Sequence, residues 1–191
     1  PYDKYGGVGH EVDYSDGYIV VMQHPVTTED NKARKNVEKT LHAINELDIP
    51  TFWFWPNIDA GADGTSAGIR SFREYHKLKH VHFFKNMEPQ EFLLLLHNSK
   101  CLIGNSSVGI RECSFLSVPV VNIGSRQYRR DRGNNVIDCG YNKTEIIDSI
   151  KKWLSNDRPK ASTIYGDGNA GKKIASILSK INLKFHKTIT Y

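Results

Sequence analysis

The sequence predicts an α/β domain built on a doubly wound, parallel sheet. Three observations carry that expectation. Short β-branched or aromatic runs alternate with amphipathic helical segments from Tyr18 onward, the pattern that βαβ crossovers require. The 191 residues contain 39% apolar side chains, enough for one core, since a domain near this size buries roughly 70% of its unfolded-chain surface. The residues that ordinary packing does not call for all fall in loops following strands, where open α/β sheets place their ligands.

Taken in order, Tyr18–Gln23 is a β-branched strand and His24–Thr28 a loop, with Thr28 an N-cap and Glu29 and Asp30 in the first turn of a helix. Val37, Leu41, Ile44 and Leu47 share one helical face, and the helix stops ahead of Pro50. Thr51–Trp55 is a second strand, 56–66 a Gly/Asp-rich loop, and Ile69, Phe72 and Tyr75 mark the next helix. Val81–Phe84 is a third strand, and a helix over 88–99 carries Pro89 in its first turn, where the missing N–H costs nothing. Cys101–Ile103 is a fourth strand, and Gly104–Ser107 turns into a helix reaching Phe115. Pro119–Ile123 and Asn135–Cys139 complete the strands. Helices follow at 145–154, with Ile146, Ile147, Ile150 and Leu154 on one stripe, and at 169–181. Residues 1–17 read as a linker, 18–182 as the domain and 183–191 as a tail without assignment.

Composition excludes several classes. The longest apolar run, Phe92–Leu96, is five residues, far from the ~20 that a membrane span needs. Three widely spaced cysteines, with no CxxC, suggest neither a disulfide framework nor a zinc site. The expected setting is therefore reducing and cytoplasmic, with no membrane partner. The net charge of +5 is concentrated: Arg126, Arg129, Arg130 and Arg132 fall within seven positions. That is a focused anion site rather than the diffuse basic surface of a nucleic-acid binder.

Two loops carry the chemistry. In Gly104-Asn-Ser-Ser-Val-Gly-Ile-Arg-Glu112 a strand runs through a turn into a helix that begins with Ser106 and Ser107. Hydroxyls and unpaired N–H groups there suit a phosphate, and Gly109 would let a ligand approach the backbone. Glu112, about one turn further on, can accept hydrogen bonds from ribose hydroxyls. Ordinary helix capping is the competing account of the serines. The second loop, Gly124–Gly133, brings arginine forks that match phosphate oxygens in pairs, against the alternative of a solvated charge run. His24, directly after a strand, could bind phosphate or move a proton, although a lone histidine is more often structural. Asn57 and Asp59 occupy the equivalent place after the second strand, where turn chemistry also accounts for them. Gly166–Gly171 fits G-x-G-x-x-G, and with Lys172 and Lys173 nearly fits a Walker loop. It has no hydroxyl after the lysine and no buried strand before it, so a turn capping the last helix is the better account.

Five segments in order, Gln23–Thr28, Pro56–Gly61, Gly104–Ser107 with Gly109–Glu112, Gly124–Gln127 and Tyr165–Ala170, resemble the hydrolysing UDP-N-acetylglucosamine 2-epimerase family, including the sialic-acid pathway enzymes. The resemblance spans about residues 18–182. It implies a Rossmann-like domain of a glycosyltransferase-B-like, two-domain architecture, this chain matching the second, nucleotide-binding domain and lacking the first. Ser106, Ser107 and Arg126 would hold the diphosphate of UDP, with Arg130 a looser match. Glu112 would bind ribose, Asn57 would line the nucleotide pocket, and His24 would sit near the diphosphate as a catalytic residue. The implied reaction eliminates UDP from UDP-N-acetylglucosamine through a glycal, inverts C2 and releases N-acetylmannosamine, with no metal or nicotinamide cofactor. The family's acid/base carboxylates belong to the first domain, so the chain alone is expected to bind UDP weakly without turnover. Full-length members are expected to be homo-oligomers. Two other functions fit the residues: a glycosyltransferase domain of the same architecture, and a non-catalytic anion- or nucleic-acid-binding module using the arginine loop.

Overall fold

The computed structural model describes residues 1–182; the expected tail at 183–191 lies outside them. Among the described residues six parallel strands run through the domain: β2 (Ile19–Met22), β3 (Thr51–Phe54), β4 (Val81–Phe84), β5 (Cys101–Gly104), β6 (Val120–Ile123) and β7 (Val136–Cys139). A two-residue strand β1 (Val8–Gly9) pairs antiparallel with β4, giving the order β1-β4-β3-β2-β5-β6-β7. Chain order therefore reverses direction between β2 and β5, whose registers pair Ile19 with Cys101 and Met22 with Gly104. That is the topological switch point at which doubly wound sheets bind ligands.

Strand residues alternate between two buried faces, because successive side chains point to opposite sides. Ile19, Val21, Trp53, Phe83, Ile103 and Val121 pack on one side. There they meet α2 (Ala33–Leu47), α3 (Ala62–Tyr75) and α7 (Lys143–Leu154) through Val37, Leu41, Ile44, Ile69, Phe72, Ile146 and Ile150. Val20, Phe52, Phe54, Phe84, Leu102 and Val120 face the other side. They are covered by α4 (Pro89–Asn98), by the short turns α5 (Ser107–Ile110) and α6 (Glu112–Phe115), and by residues of the N-terminal segment. Helix ends follow local chemistry. Asp48 closes α2 in the left-handed conformation, Pro89 opens α4, and Asn142 Oδ1 caps α7 by accepting from the N–H groups of Thr144 (2.9 Å) and Glu145 (3.2 Å).

Four expectations are corrected. Thr28 is not an N-cap: residues Thr27–Lys32 form a 3₁₀ segment kinked at Glu29, and α2 begins at Ala33. Helix α3 begins at Ala62, within the expected loop, and Tyr75 is exposed rather than on its packed face. The helix expected from Ser107 to Phe115 is two four-residue pieces broken at Arg111. Residues 1–17 are not a free linker. Besides β1 they form α1 (Tyr2–Tyr5), and Tyr2 exchanges hydrogen bonds of 2.9 Å with the Val12 backbone. Both ring nitrogens of His82 lie 2.9 Å from carbonyls of this segment, those of His10 and Gly6. The last helix, α8 (Ala170–Leu178), buries no residue, and Ile174, Ile177, Leu178 and the following Ile181 are exposed.

Candidate functional site

Gly104 ends β5 with φ +133°, and a Cβ there would stand 2.1 Å from the Met22 carbonyl oxygen. Only glycine lets β5 come this close to the end of β2. The close approach delivers Asn105, fully buried, to the loop after β2. Its Oδ1 accepts from the His24 N–H at 2.7 Å, and its Nδ2 donates to the His24 carbonyl at 2.8 Å. The Asn105 carbonyl in turn accepts from Gln127 Nε2 at 2.7 Å and Arg126 Nη1 at 3.4 Å. One buried side chain and its carbonyl thus tie together the loops after β2, β5 and β6.

Around this knot stand most of the residues singled out from the sequence. Ser106 caps α5, its Oγ accepting from the Val108 N–H at 3.4 Å. Ser107 is the first residue of that turn, so its N–H has no intrahelical partner. With α5 only four residues long, an anion here would rely on local N–H groups, the hydroxyls and Arg126 rather than on a long helix dipole. Arg126 is about one-quarter exposed, and its Nη2 lies 3.3 Å from Asp59 Oδ2. His24 Nδ1 accepts from the Asn57 backbone N–H at 3.2 Å, which leaves the ring proton on Nε2 as a donor. Burial, reinforced by the Arg126 charge, lowers the His24 pKa to about 4. The ring is therefore neutral at physiological pH.

Two expected site residues take other places. Gly109 does not face the cleft: it is buried against the sheet, where a Cβ would lie 2.9 Å from Val120 Cγ1 and 3.4 Å from Leu102 Cδ2. Its lack of a side chain serves helix–sheet packing. Arg130 is exposed and enters contacts through its backbone, its carbonyl accepting from Arg132 Nη1. The arginine cluster therefore divides. Arg126 turns into the cleft, whereas Arg132 braces the loop on the Gln127 carbonyl (2.9 Å) and Asp138 (2.8 Å). Arg129 lies over the Tyr128 ring.

Glu112 opens α6, which follows the Ser106-capped turn α5 after Arg111 alone, and lines a cavity of about 470 Å³ with Leu93, Phe115, Leu116, Tyr165 and Asp167. A second cavity, of about 440 Å³, is lined by Thr27, Thr28, Asp59, Ser125, Arg126 and Tyr128. Each is within the size range of small-ligand sites. In the sequence Asn105, Asp59 and Gln127 stand in the matching segments with no motif that marks a role for them, and nothing local places the Leu93–Phe115–Tyr165 wall. A signal for Asn105 was present: an amide directly after an apolar strand will be buried, and a buried amide must find partners.

The profile of a known family, described as UDP-N-acetylglucosamine 2-epimerase, matches residues 5–179. The chain belongs to the UDP-N-acetylglucosamine 2-epimerase family. Among its relatives, the Legionella pneumophila UDP-N,N'-diacetylbacillosamine 2-epimerase (hydrolyzing) is 30% identical over 164 residues, 86% of this chain and 43% of that protein. The Neisseria meningitidis UDP-N-acetylglucosamine 2-epimerase is 28% identical over 94% of this chain and 45% of its own length. The epimerase fold recurs in the Methanocaldococcus jannaschii enzyme crystallised with UDP-GlcNAc and UDP, at a TM-score of 0.64 and 24% identity over 88% of this chain and 46% of that one. The chain thus spans a little under half the length of these epimerases.

Proposed function

We propose that this chain is the UDP-gripping half of a hydrolysing UDP-N-acetylglucosamine 2-epimerase. The observation that carries the proposal is the knot at Asn105, which gathers the Ser106–Ser107 turn, Arg126 and the neutral His24 at the switch point. Departure of UDP from the sugar builds negative charge on the leaving diphosphate. Preoriented N–H groups, a guanidinium and the His24 Nε2–H donor would stabilise that charge without reorganising. Arg126 supplies the paired donors that suit phosphate oxygens. Glu112 would accept from the ribose hydroxyls, and the apolar and aromatic wall of Leu93, Phe115 and Tyr165 would receive the base.

Removing the C2 proton requires a carboxylate base. In this proposal a second domain supplies it, and that domain would also cover the exposed apolar stripe on α8. Hydrolysing chemistry is favoured by the Legionella relative, a hydrolyzing 2-epimerase, and the half-chain assignment by the length comparison. The chain alone would then bind UDP and produce no N-acetylmannosamine.

The ribose contact is tested by titrating UDP and 2′-deoxy-UDP into wild-type protein and Glu112→Gln. The wild type is expected to prefer UDP by about 10-fold, the equivalent of one charge-assisted hydrogen bond. Glu112→Gln is expected to lose most of that preference. Equal affinities for the two nucleotides in the wild type would remove Glu112 from the site.

A further inference from the structure

The two side chains at the head of the arginine loop are each already held by a carboxylate. Arg126 Nη2 lies 3.3 Å from Asp59 Oδ2, and Ser125 Oγ donates to Glu29 Oε1 at 2.7 Å. Asp59 is itself fixed: its Oδ2 accepts from Asn57 Nδ2 at 2.5 Å, and its carbonyl accepts from the Ala62 N–H at the start of α3. Asp59 and Arg126 line the same cavity. A phosphate seated on Arg126 would share the guanidinium's five donors with Asp59, and its charge would repel the neighbouring carboxylate at close range.

We propose that Asp59 is an internal competitor for the diphosphate: it holds Arg126 in the ligand-free state and takes it back when the nucleotide leaves. The proposal rests on the reading of Arg126 as the diphosphate residue. It makes Asp59 a positioning residue that lowers affinity for the product nucleoside diphosphate and so speeds its release. The pairing also keeps the guanidinium oriented across the cleft when no ligand is present.

The test compares wild type, Asp59→Asn and Asp63→Asn in titrations with inorganic pyrophosphate and with UDP. Asparagine at 59 retains an oxygen for the Asn57 amide while removing the charge. Asp63→Asn makes the same change in net charge at an exposed position in the first turn of α3. Asp59→Asn is expected to bind pyrophosphate and UDP more tightly, on the order of 3–10-fold, as expected for releasing a partly exposed ion pair and a like charge. It should also slow UDP dissociation, while Asp63→Asn changes both by less than about 2-fold. Asp59→Asn binding pyrophosphate no more tightly than wild type would overturn the proposal, as would an equal gain in Asp63→Asn. A pyrophosphate gain at Asp59→Asn without UDP selectivity in any variant would keep the competitor role and count against the nucleotide reading instead.

Discussion

Arg126→Ala is expected to weaken UDP binding by about 100-fold, close to 3 kcal/mol, the usual cost of truncating a charged group paired with a phosphate in a partly enclosed site. The basis is its direction as much as its charge. Of the four loop arginines, Arg126 is hydrogen-bonded to the Asn105 carbonyl beside the Ser106–Ser107 turn, and it lines the cleft. Arg130 is exposed, so Arg130→Ala should change affinity by less than about 3-fold, as an exposed, screened charge does. Calorimetric titration of both variants separates a built site from a general basic surface. Similar losses in the two would contradict the assignment of Arg126.

Gly104→Ala is expected to be the most damaging single substitution for stability. The new methyl would lie 2.1 Å from the Met22 carbonyl oxygen and 2.5 Å from its carbon, atoms of a sheet backbone that cannot swing away as a side chain could. Alanine at φ +133° adds backbone strain. Together these should remove about 4 kcal/mol or more of unfolding free energy, read as a large fall in the urea midpoint. Because the same contact sets the position of Asn105, whose N–H donates to the Met22 carbonyl at 3.1 Å, any folded fraction should also lose its UDP affinity. Gly171→Ala is the contrasting case. Its added methyl meets nothing within 4 Å in α8, and alanine is the better helix former by up to about 1 kcal/mol.

β2 to β6 were legible because each is a short, mostly apolar run buried on both faces, whereas the edge strand β7, with Asp138 exposed, was carried by Val136 and Ile137. Such runs lack the helical period and are bounded by turn residues. The start of α3 was not legible. Ala62-Asp63-Gly64-Thr65 has loop composition, and the helix there is held by contact with α2, so close that a Cβ on Gly68 would lie 2.8 Å from Val37 Cγ1. That is a tertiary approach overriding local propensity. The two-residue β1 carries no periodic signal, and it is held in place largely by its pairing with β4 and the His82 contacts.

The site divides in the same way. His24, Ser106 and Arg126 follow strand ends, so the rule for α/β sheets gathers them without coordinates. The Asp59–Arg126 pairing joins residues 67 positions apart, and no local pattern encodes it. Gly109 was misplaced because sequence alone does not say which side of a short helix a glycine presents. The Glu112 cavity draws its walls from α4, α6 and the segment before α8, elements whose docking is a property of the whole fold.

The central claim is that the switch-point loops form one nucleoside-diphosphate site. Isothermal titration of the chain with UDP, CMP and inorganic pyrophosphate tests it most directly. The account predicts one UDP per chain, bound at least about 10-fold more tightly than CMP or pyrophosphate, since the diphosphate and nucleoside contacts act together. Equal, weak binding of all three would contradict it, leaving a basic loop on an α/β domain.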